Sequence, residues 1–442
     1  MIRSFRNAVA PINKIPPEIL TLIPDFWRRK DDSHLIALTH VCRTWREIFT
    51  SRSSLWTRFG CENADKIRVY LERSKSSPIH LRVFRGQPLL PNDPFLEIDP
   101  PAISRLKSIE VHGWLDPVQE IIPRLSHPAP LLESLTIKAD RSPRLGRIPV
   151  VTNTLFDGDL SSLRELCLHR VHTELPWRNL VNLTSFTLAF LPPGSSTTQL
   201  LDFFESAPRL RQVELIYVSP APIDQNERIV SLTCLKEILI CDRQPTSPFI
   251  GHLLIPAGAS LHTEIESHSW IEDHLPRSLR NLRNLSNFTQ LRLRFRVDDP
   301  GFDIKFVGPN GKIRITSIFS VVDPAGVVLE FLDWFDTSTV DTLEVTSCDY
   351  MPQDLTYRLL LPMRFLRALT ISPCDTMCPF ARALNPDLDL ENVLVCPKLE
   401  KLVLHTTGEK GPDIKSMEAA RASRGAKLGL VQIVDEVSDG ED

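Results

Sequence analysis

The sequence predicts an α/β protein: a small all-helical module at the N-terminus, then a solenoid of short strands and crossovers that share a parallel sheet. Three observations predict it. Apolar residues recur at helical spacing between Pro16 and Trp56. Beyond Trp56 the pattern L-x-x-L-x-L returns at intervals of 20 to 31 residues, a period typical of stacked repeats. And 442 residues, 42% hydrophobic and 24% charged, suffice for a large core or several smaller ones.

The helical module starts where Ile19, Leu20, Ile23, Phe26 and Trp27 follow Pro16, Pro17 and Glu18, which are good first-turn residues. After "RRKDDS", where Asp32 or Ser33 can cap, Leu35, Ile36 and Leu38 begin a second helix. Val41, Cys42, Trp45, Ile48 and Phe49 repeat the spacing, and Leu55, Trp56 and Phe59 close the unit. Stripes of this kind are most often core. Yet about 45 residues make a marginal core, so some of these large apolar groups are expected to face a partner.

Three ordered pieces, "IPPEIL", "VCRTWREI" and "LW", resemble the F-box, the helical unit that docks on the Skp-type adaptor of cullin-RING ubiquitin ligases. The resemblance covers Pro11 to Phe59. It implies that Pro16, Ile19, Leu20, Ile23, Leu35, Val41, Cys42, Trp45, Leu55 and Trp56 form the adaptor-facing surface or its supporting core, and leaves open which of the two each serves. The sequence departs from the family in having Ile15 before the first proline and the charged connection "RRKDD" before the second helix.

The repeat runs as "LKSIEV" from Leu106, "LESLTI" from Leu132, "LRELCL" from Leu163, "LTSFTL" from Leu183, "LRQVEL" from Leu210 and "LKEILI" from Leu235. It continues as "FTQLRL" from Phe288, "VDTLEV" from Val340, "LRALTI" from Leu366 and "LEKLVL" from Leu399, with degenerate copies near Leu261 and Ile313. A lead-in proline in "APLLESL", "APRLRQV" and "CPKLEKL" ends a preceding helix and launches the strand. The units resemble leucine-rich repeats, which implies a parallel-sheet solenoid; irregular repeat lengths and the missing asparagine ladder leave an ordinary α/β domain open. "FDIKFVGPNGKIRITSIF" reads as a β-hairpin around Asn310-Gly311 that decorates one repeat. From Pro412 an alanine-rich helix and "LVQIV" read as a terminal cap. The expected domains are an N-terminal tail (1–10), the F-box (11–60), the solenoid (61–430, hairpin insertion near 302–319) and an acidic tail (431–442).

Strand residues between the core-facing positions point to the opposite face. Along that face the sequence places Glu110, His112, Lys138, Glu165, His169, Glu214, Glu237, Glu264 and Glu266, then Arg292, Arg294, Arg296 and Arg314, and finally Glu344, Lys401 and His405. An acidic middle followed by a basic patch is expected to recognise a target protein with complementary charge. Glu165, His169, Glu214, Glu237, Glu264, Arg292, Arg294 and Arg314 are the candidate target-face residues.

Other classes find less support. A net charge of -4 gives no reason to expect a polyanion or membrane partner for the whole chain, and nine scattered cysteines fit reduced thiols in the cytoplasm or nucleus. No apolar run reaches the roughly 20 residues that span a bilayer. His262, Glu266, His268, Glu272 and His274 lack a metal spacing, Cys374 and Cys378 form an unpartnered C-x-x-x-C, and "GPNGK" with Lys312 is too short for a phosphate loop. Arg277, Arg280 and Arg283 lack the interleaved aromatics of an RNA site, and Asp298 and Asp299 have no acid/base partner. The expectation is a non-enzymatic chain with no cofactor or metal: the substrate-recognition subunit of a Skp-cullin-F-box ligase. The rivals are an adaptor-binding scaffold outside a ligase and a solenoid that binds protein or nucleic acid without a ubiquitin role.

Overall fold

The computed structural model describes residues 11–24, 34–140, 148–152, 154–173, 180–191, 197–218, 228–243, 246–265, 275, 288–296, 301–309, 311–317, 323–347, 351–374, 378–388, 393–406 and 413–435. The chain is mixed α/β and divides into two compact units, Met1–Leu191 and Pro192–Asp442. Phe26, Trp27, Asp32, Ser33, Asn310 and both predicted tails, apart from Val431 to Asp435, lie outside the described residues.

The first unit begins with helices. A 3-10 turn at Pro11–Lys14 precedes α1 (Pro17–Leu20); α2 spans His34–Leu38, α3 spans Arg43–Ser51, and a second 3-10 turn covers Ser53–Trp56. Cys42 is extended and supplies no side-chain cap to α3. Packing on its inner face must therefore hold the helix. Trp45 and Phe49, one turn apart, meet edge-on at 5.6 Å, and Arg46 Nε donates to the Thr39 carbonyl at 3.0 Å, bridging the break between α2 and α3. Trp56 is wholly buried and its indole N–H donates to the Phe49 carbonyl at 2.9 Å. That bond satisfies one of the acceptors that every helix C-terminus leaves open.

Helix α4 (Ala64–Ser74) starts from Asn63, whose side chain accepts from the Lys66 N–H at 2.9 Å. It lays Tyr70 against Trp56 at 5.0 Å and Phe59 at 5.4 Å, and the Arg73 guanidinium stacks 4.3 Å from the Trp56 ring. The helical module thus shares its core with α4 and the start of the first sheet. Strands β1 (Arg58–Gly60), β2 (Ile79–Arg85), β3 (Leu106–Trp114), β4 (Ser134–Asp140), β5 (Glu165–His169) and β6 (Ser185–Ala189) pair in that order, every pair parallel. Helix α5 (Leu115–Ile121) packs on β3 and β4. Strands β1 and β2 lack the L-x-x-L-x-L pattern and were not foreseen; the alternation of "IHLRVFR" is the signal that identifies β2.

In the second unit β7 (Gln212–Ile216), β8 (Glu237–Asp242) and β9 (Ser260–Ile265) are parallel neighbours. Three further strands, β10 (Gln290–Phe295), β11 (Phe302–Gly308) and β12 (Gly311–Ser317), take their places in reverse: β12 lies parallel beside β9, β11 runs antiparallel to both β12 and β10, and β10 is parallel to β13 (Thr342–Thr346). Strands β14 (Ala368–Ser372), β15 (Lys401–Thr406) and β16 (Leu430–Asp435) then extend the parallel order. The sheet is therefore not wholly parallel, and the hairpin lies within it rather than on its outside. The reason is burial. Phe302, Ile304 and Phe306 are 2%, 0% and 1% exposed. Phe306 joins Phe288, Phe331 and Phe335 in a ring cluster with centroids 4.7 to 6.1 Å apart, anchoring β11 to α7 (Pro324–Leu332).

Helices α6 (Thr197–Ser206), α8 (Gln353–Leu360), α9 (Pro379–Leu384) and α10 (Ile414–Ser423) precede β7, β14, β15 and β16. One turn recurs before the strands. The N–H of the lead-in leucine donates to the carbonyl three residues back at Leu132, Leu163, Leu183, Leu210, Leu235, Leu366 and Leu399. One carbonyl then accepts from two successive N–H groups of the next strand: Glu133 from Arg164 and Glu165, Arg211 from Lys236 and Glu237, Arg367 from Glu400 and Lys401. Every one of those leucines is at most 4% exposed. The repeated sequence motif is thus a turn-and-strand unit, with its first leucine pinned in the core.

Arg421 on α10 is buried, and its guanidinium donates to the carbonyls of Leu384, Val395 and Cys396 at 3.3, 3.0 and 2.7 Å. It thereby ties α10 to α9 and to the turn before β15. Replacing Arg421 with Met leaves these acceptors unpaired, and a loss of about 2–4 kcal/mol is expected in urea unfolding monitored by circular dichroism. Lysine cannot fork to three carbonyls, so Arg421→Lys should not restore stability. In the first unit, Trp56→Phe keeps most of the bulk but leaves the Phe49 carbonyl bare, with an expected cost of about 1–3 kcal/mol in the same measurement; Trp56→Ala should cost about 3–5 kcal/mol.

Candidate functional site

The helical module sorts its apolar residues into two sets. Leu20, Leu35, Trp45, Leu55 and Trp56 are buried at 1%, 5%, 7%, 5% and 0% exposure and form its core. Ile23 and Cys42 are half-buried, and Pro16 is exposed. Ile19 and Val41 stand 52% and 56% exposed, accompanied by Ile12 at 46% and Leu22 at 50%. Ile12 and Leu22 are not among the residues that the F-box resemblance selects. Leu22, three residues after Ile19, is in phase with the helical stripe, so its spacing was a signal that could have selected it; Ile12 precedes the stripe, and periodicity does not reach it. Four large apolar side chains exposed within thirty residues of chain, on a module that buries Leu20, Leu35, Leu38, Trp45, Phe49, Leu55 and Trp56, are a feature that scattered surface apolar residues do not explain.

The polar face of the first sheet follows its cross-strand register. One row runs Arg58, His80, Ser108, Ser134, Glu165 and Ser185; the next runs Gly60, Arg82, Glu110, Thr136, Cys167 and Thr187. A cavity of about 810 Å³ opens over these rows, from Thr57 and Arg58 to Glu165. Ser108, Ser134 and Thr136 line it beside the charged Arg82, Glu110 and Glu165. His80 Nδ1 lies 2.7 Å from Ser108 Oγ, a pairing that the register itself places side by side. A third row holds His112, Lys138 and His169. His112 Nε2 lies 2.9 Å from Asp140 Oδ2. Burial pushes the His169 imidazole below its ordinary value, with Arg170 adding to the shift and the Ala139 carbonyl opposing it. At neutral pH His169 is therefore a neutral ring, and it packs 4.7 Å from Phe190.

In the second unit the predicted acidic residues do not fall into line. Glu214 and Glu237 are exposed and Glu264 half-buried, and each occupies a different row. The row of Glu214 continues through Leu239 and His262, whose imidazole burial also pushes down, against the pull of Glu264 at 3.5 Å. The basic residues do converge. Arg314 on β12 and Arg292 on β10 share one row, with Arg294 in the row beside them. Two of the three are engaged by carboxylates: Arg314 forks onto Asp303 with Nη2–Oδ2 at 2.6 Å and Nε–Oδ1 at 3.0 Å, and Arg292 Nε meets Glu344 at 3.0 Å. Lys305 lies between Arg314 and Arg292 in register and was not anticipated, since only the antiparallel course of β11 puts it there.

Glu266, His268, Glu272, His274, Arg277, Arg280, Arg283, Asp298 and Asp299 lie outside the described residues. Cys374 and Cys378 are buried, and among the described residues no group of three His, Cys, Asp or Glu side chains is placed to hold a metal ion. No helix among them is long and apolar enough to cross a membrane.

No curated protein matches the chain. Residues 12–62 match the F-box-like family, a stretch that begins at the exposed Ile12, contains the helical module and ends two residues beyond β1. The chain carries an F-box-like domain there, the type of domain that binds Skp-type adaptors.

Proposed function

We propose that this chain is the non-catalytic substrate receptor of a Skp-cullin-F-box ubiquitin ligase. One observation carries the reading: within the F-box-like segment, Ile12, Ile19, Leu22 and Val41 stay exposed while Trp45 and Trp56 are buried. Burying such groups on a partner is worth about 1.5–3 kcal/mol for each fully covered side chain. The adaptor is the partner that an F-box-like domain calls for. The strands of both units, built of a recurring turn-and-strand unit, serve as leucine-rich-repeat-like solenoid surfaces whose polar faces select the target protein. The chain then acts through proximity: it holds a target at high effective concentration near a ubiquitin-conjugating enzyme on the cullin scaffold, and partner subunits do the transfer chemistry.

The cysteines support a reducing compartment, cytoplasmic or nuclear. Those described are free thiols, and burial pushes Cys61 and Cys396 up to about 12, which keeps them protonated and inert.

Surface variants separate docking from folding, because truncating Leu20, Trp45 or Trp56 would damage the core first. Ile19→Asp combined with Val41→Asp should leave thermal unfolding unchanged within about 0.5 kcal/mol per site. It should weaken co-purification with a Skp-type adaptor by about tenfold or more, since apolar anchors at an interface centre commonly cost at least 1–2 kcal/mol each. Leu361→Asp, at an exposed position of the second unit, serves as the control. Adaptor capture that survives the double substitution would show that this surface does not dock the adaptor; capture without cullin would place the chain in a scaffold outside a ligase.

A further inference from the structure

The inserted hairpin of the second unit assembles a cationic ladder. Register places Arg314 of β12 opposite Lys305 of β11, and Lys305 opposite Arg292 of β10. Arg294 follows in the next row, and Lys312 lies one row to the other side. Strands in a sheet are about 4.8 Å apart, so the three central cations span roughly 10 Å. Among the described residues, the charged and titratable groups facing them from neighbouring strands are Asp303, Glu344, Glu264 and His262. Asp303 is taken by Arg314 and Glu344 by Arg292, while Glu264 meets His262 at 3.5 Å and also acts on Arg314. Among the described residues, Lys305 and Lys312 have no carboxylate partner, and Arg294, which register sets opposite Asp303, makes no close ion pair with it because Arg314 holds that carboxylate.

Like charges directly opposite in a sheet destabilise it. Lys305 meets one on each side. Its neighbours on β11 show why the position could have been filled otherwise: Ile304 and Phe306 secure the strand from the apolar side, so the fold places no demand for a cation at 305. An oxyanion seated over this row would remove the repulsion and take charge-assisted hydrogen bonds from two strands at once.

We propose that the ladder of Arg314, Lys305 and Arg292, with Arg294 beside it, is the docking site for an acidic peptide segment of a partner protein. Only the identity of that partner as a ligase target rests on the function proposed above. In an extended peptide, side chains on one side recur about every 6.8 Å. Two acidic groups at positions i and i+2 therefore fit within the span of the row. Carboxylates and phosphate monoesters share the required chemistry. A nucleic acid fits less well: the neighbouring row positions are Thr316, Thr346, Gln290 and Val307, which offer no aromatic ring for a base, and Asp303 and Glu344 would oppose a continuous phosphate backbone.

The test uses the purified full-length chain, without adaptor, and fluorescence anisotropy of labelled peptides in a glycine-serine background. One peptide carries Glu-x-Glu, one phosphoserine-x-Glu and one Lys-x-Lys; a single-stranded RNA of similar length is the fourth probe. Acidic peptides should bind and the lysine peptide should not, with affinity falling as salt rises. The tighter of the two acidic probes identifies carboxylate or phosphate as the source. Lys305→Glu supplies the decisive comparison: it should weaken the acidic peptides by about tenfold or more while leaving the unfolding midpoint unchanged or higher, because it replaces repulsion with attraction on both sides. Lys305→Gln and Arg294→Gln should weaken binding less, and they carry the test if Lys305→Glu does not fold. Lys401→Glu, exposed on β15, should bind as the wild type does. Acidic peptides that fail to bind, or that bind Lys305→Glu as well as wild type, overturn the proposal; RNA binding in place of peptide binding overturns it in favour of a nucleic-acid surface. Because no adaptor is present, a failed F-box reading leaves these outcomes unaffected.

Discussion

Cross-strand register governs which side chains this protein can offer a partner. In each unit the lead-in leucine is fixed in the core by a turn whose N–H donates three residues back, and the next strand must then turn alternate residues inward. A slip of one residue would exchange the two faces entirely. The polar rows over β1 to β6 and the cations of β10 to β12 are consequences of that constraint. Their composition is free to vary, whereas their geometry is not.

The same constraint explains which parts of the molecule were legible in the sequence. The L-x-x-L-x-L segments are all strands, because each combines a buried apolar lead-in residue with period-two alternation. The F-box-like segment was visible through three ordered pieces. The division of its apolar residues was not: Leu20 and Ile19 are adjacent, both fit the stripe, and only three-dimensional packing buries one and exposes the other. Likewise, "FDIKFV" announces a strand, but nothing local says that β11 will be inserted antiparallel between β12 and β10. Lys305 therefore gained its significance from long-range pairing, which no local pattern encodes.

The acidic residues teach the complementary lesson. Glu214, Glu237 and Glu264 look like one surface when strands are written in order, since each occupies an outward position in its own segment. Register separates them into different rows, with Leu239 and Cys241 intervening. Alternation establishes the face of a residue. It does not establish the neighbours on that face, which depend on where each strand begins relative to the last.

Strand β1 has a further consequence. It belongs to the segment matched by the F-box-like family, yet it hydrogen-bonds to β2, and the ring of Trp56 lies against Tyr70 of α4. Deleting residues 1–60 to isolate the repeat region would strip the outermost strand from the first sheet, leave the backbone of β2 unpaired along one side, and uncover Tyr70. Unpaired edges of this kind recruit other chains. A shortened protein made that way would precipitate or self-associate for reasons unrelated to the adaptor, so the two halves of its function are better separated by single side chains than by scissors.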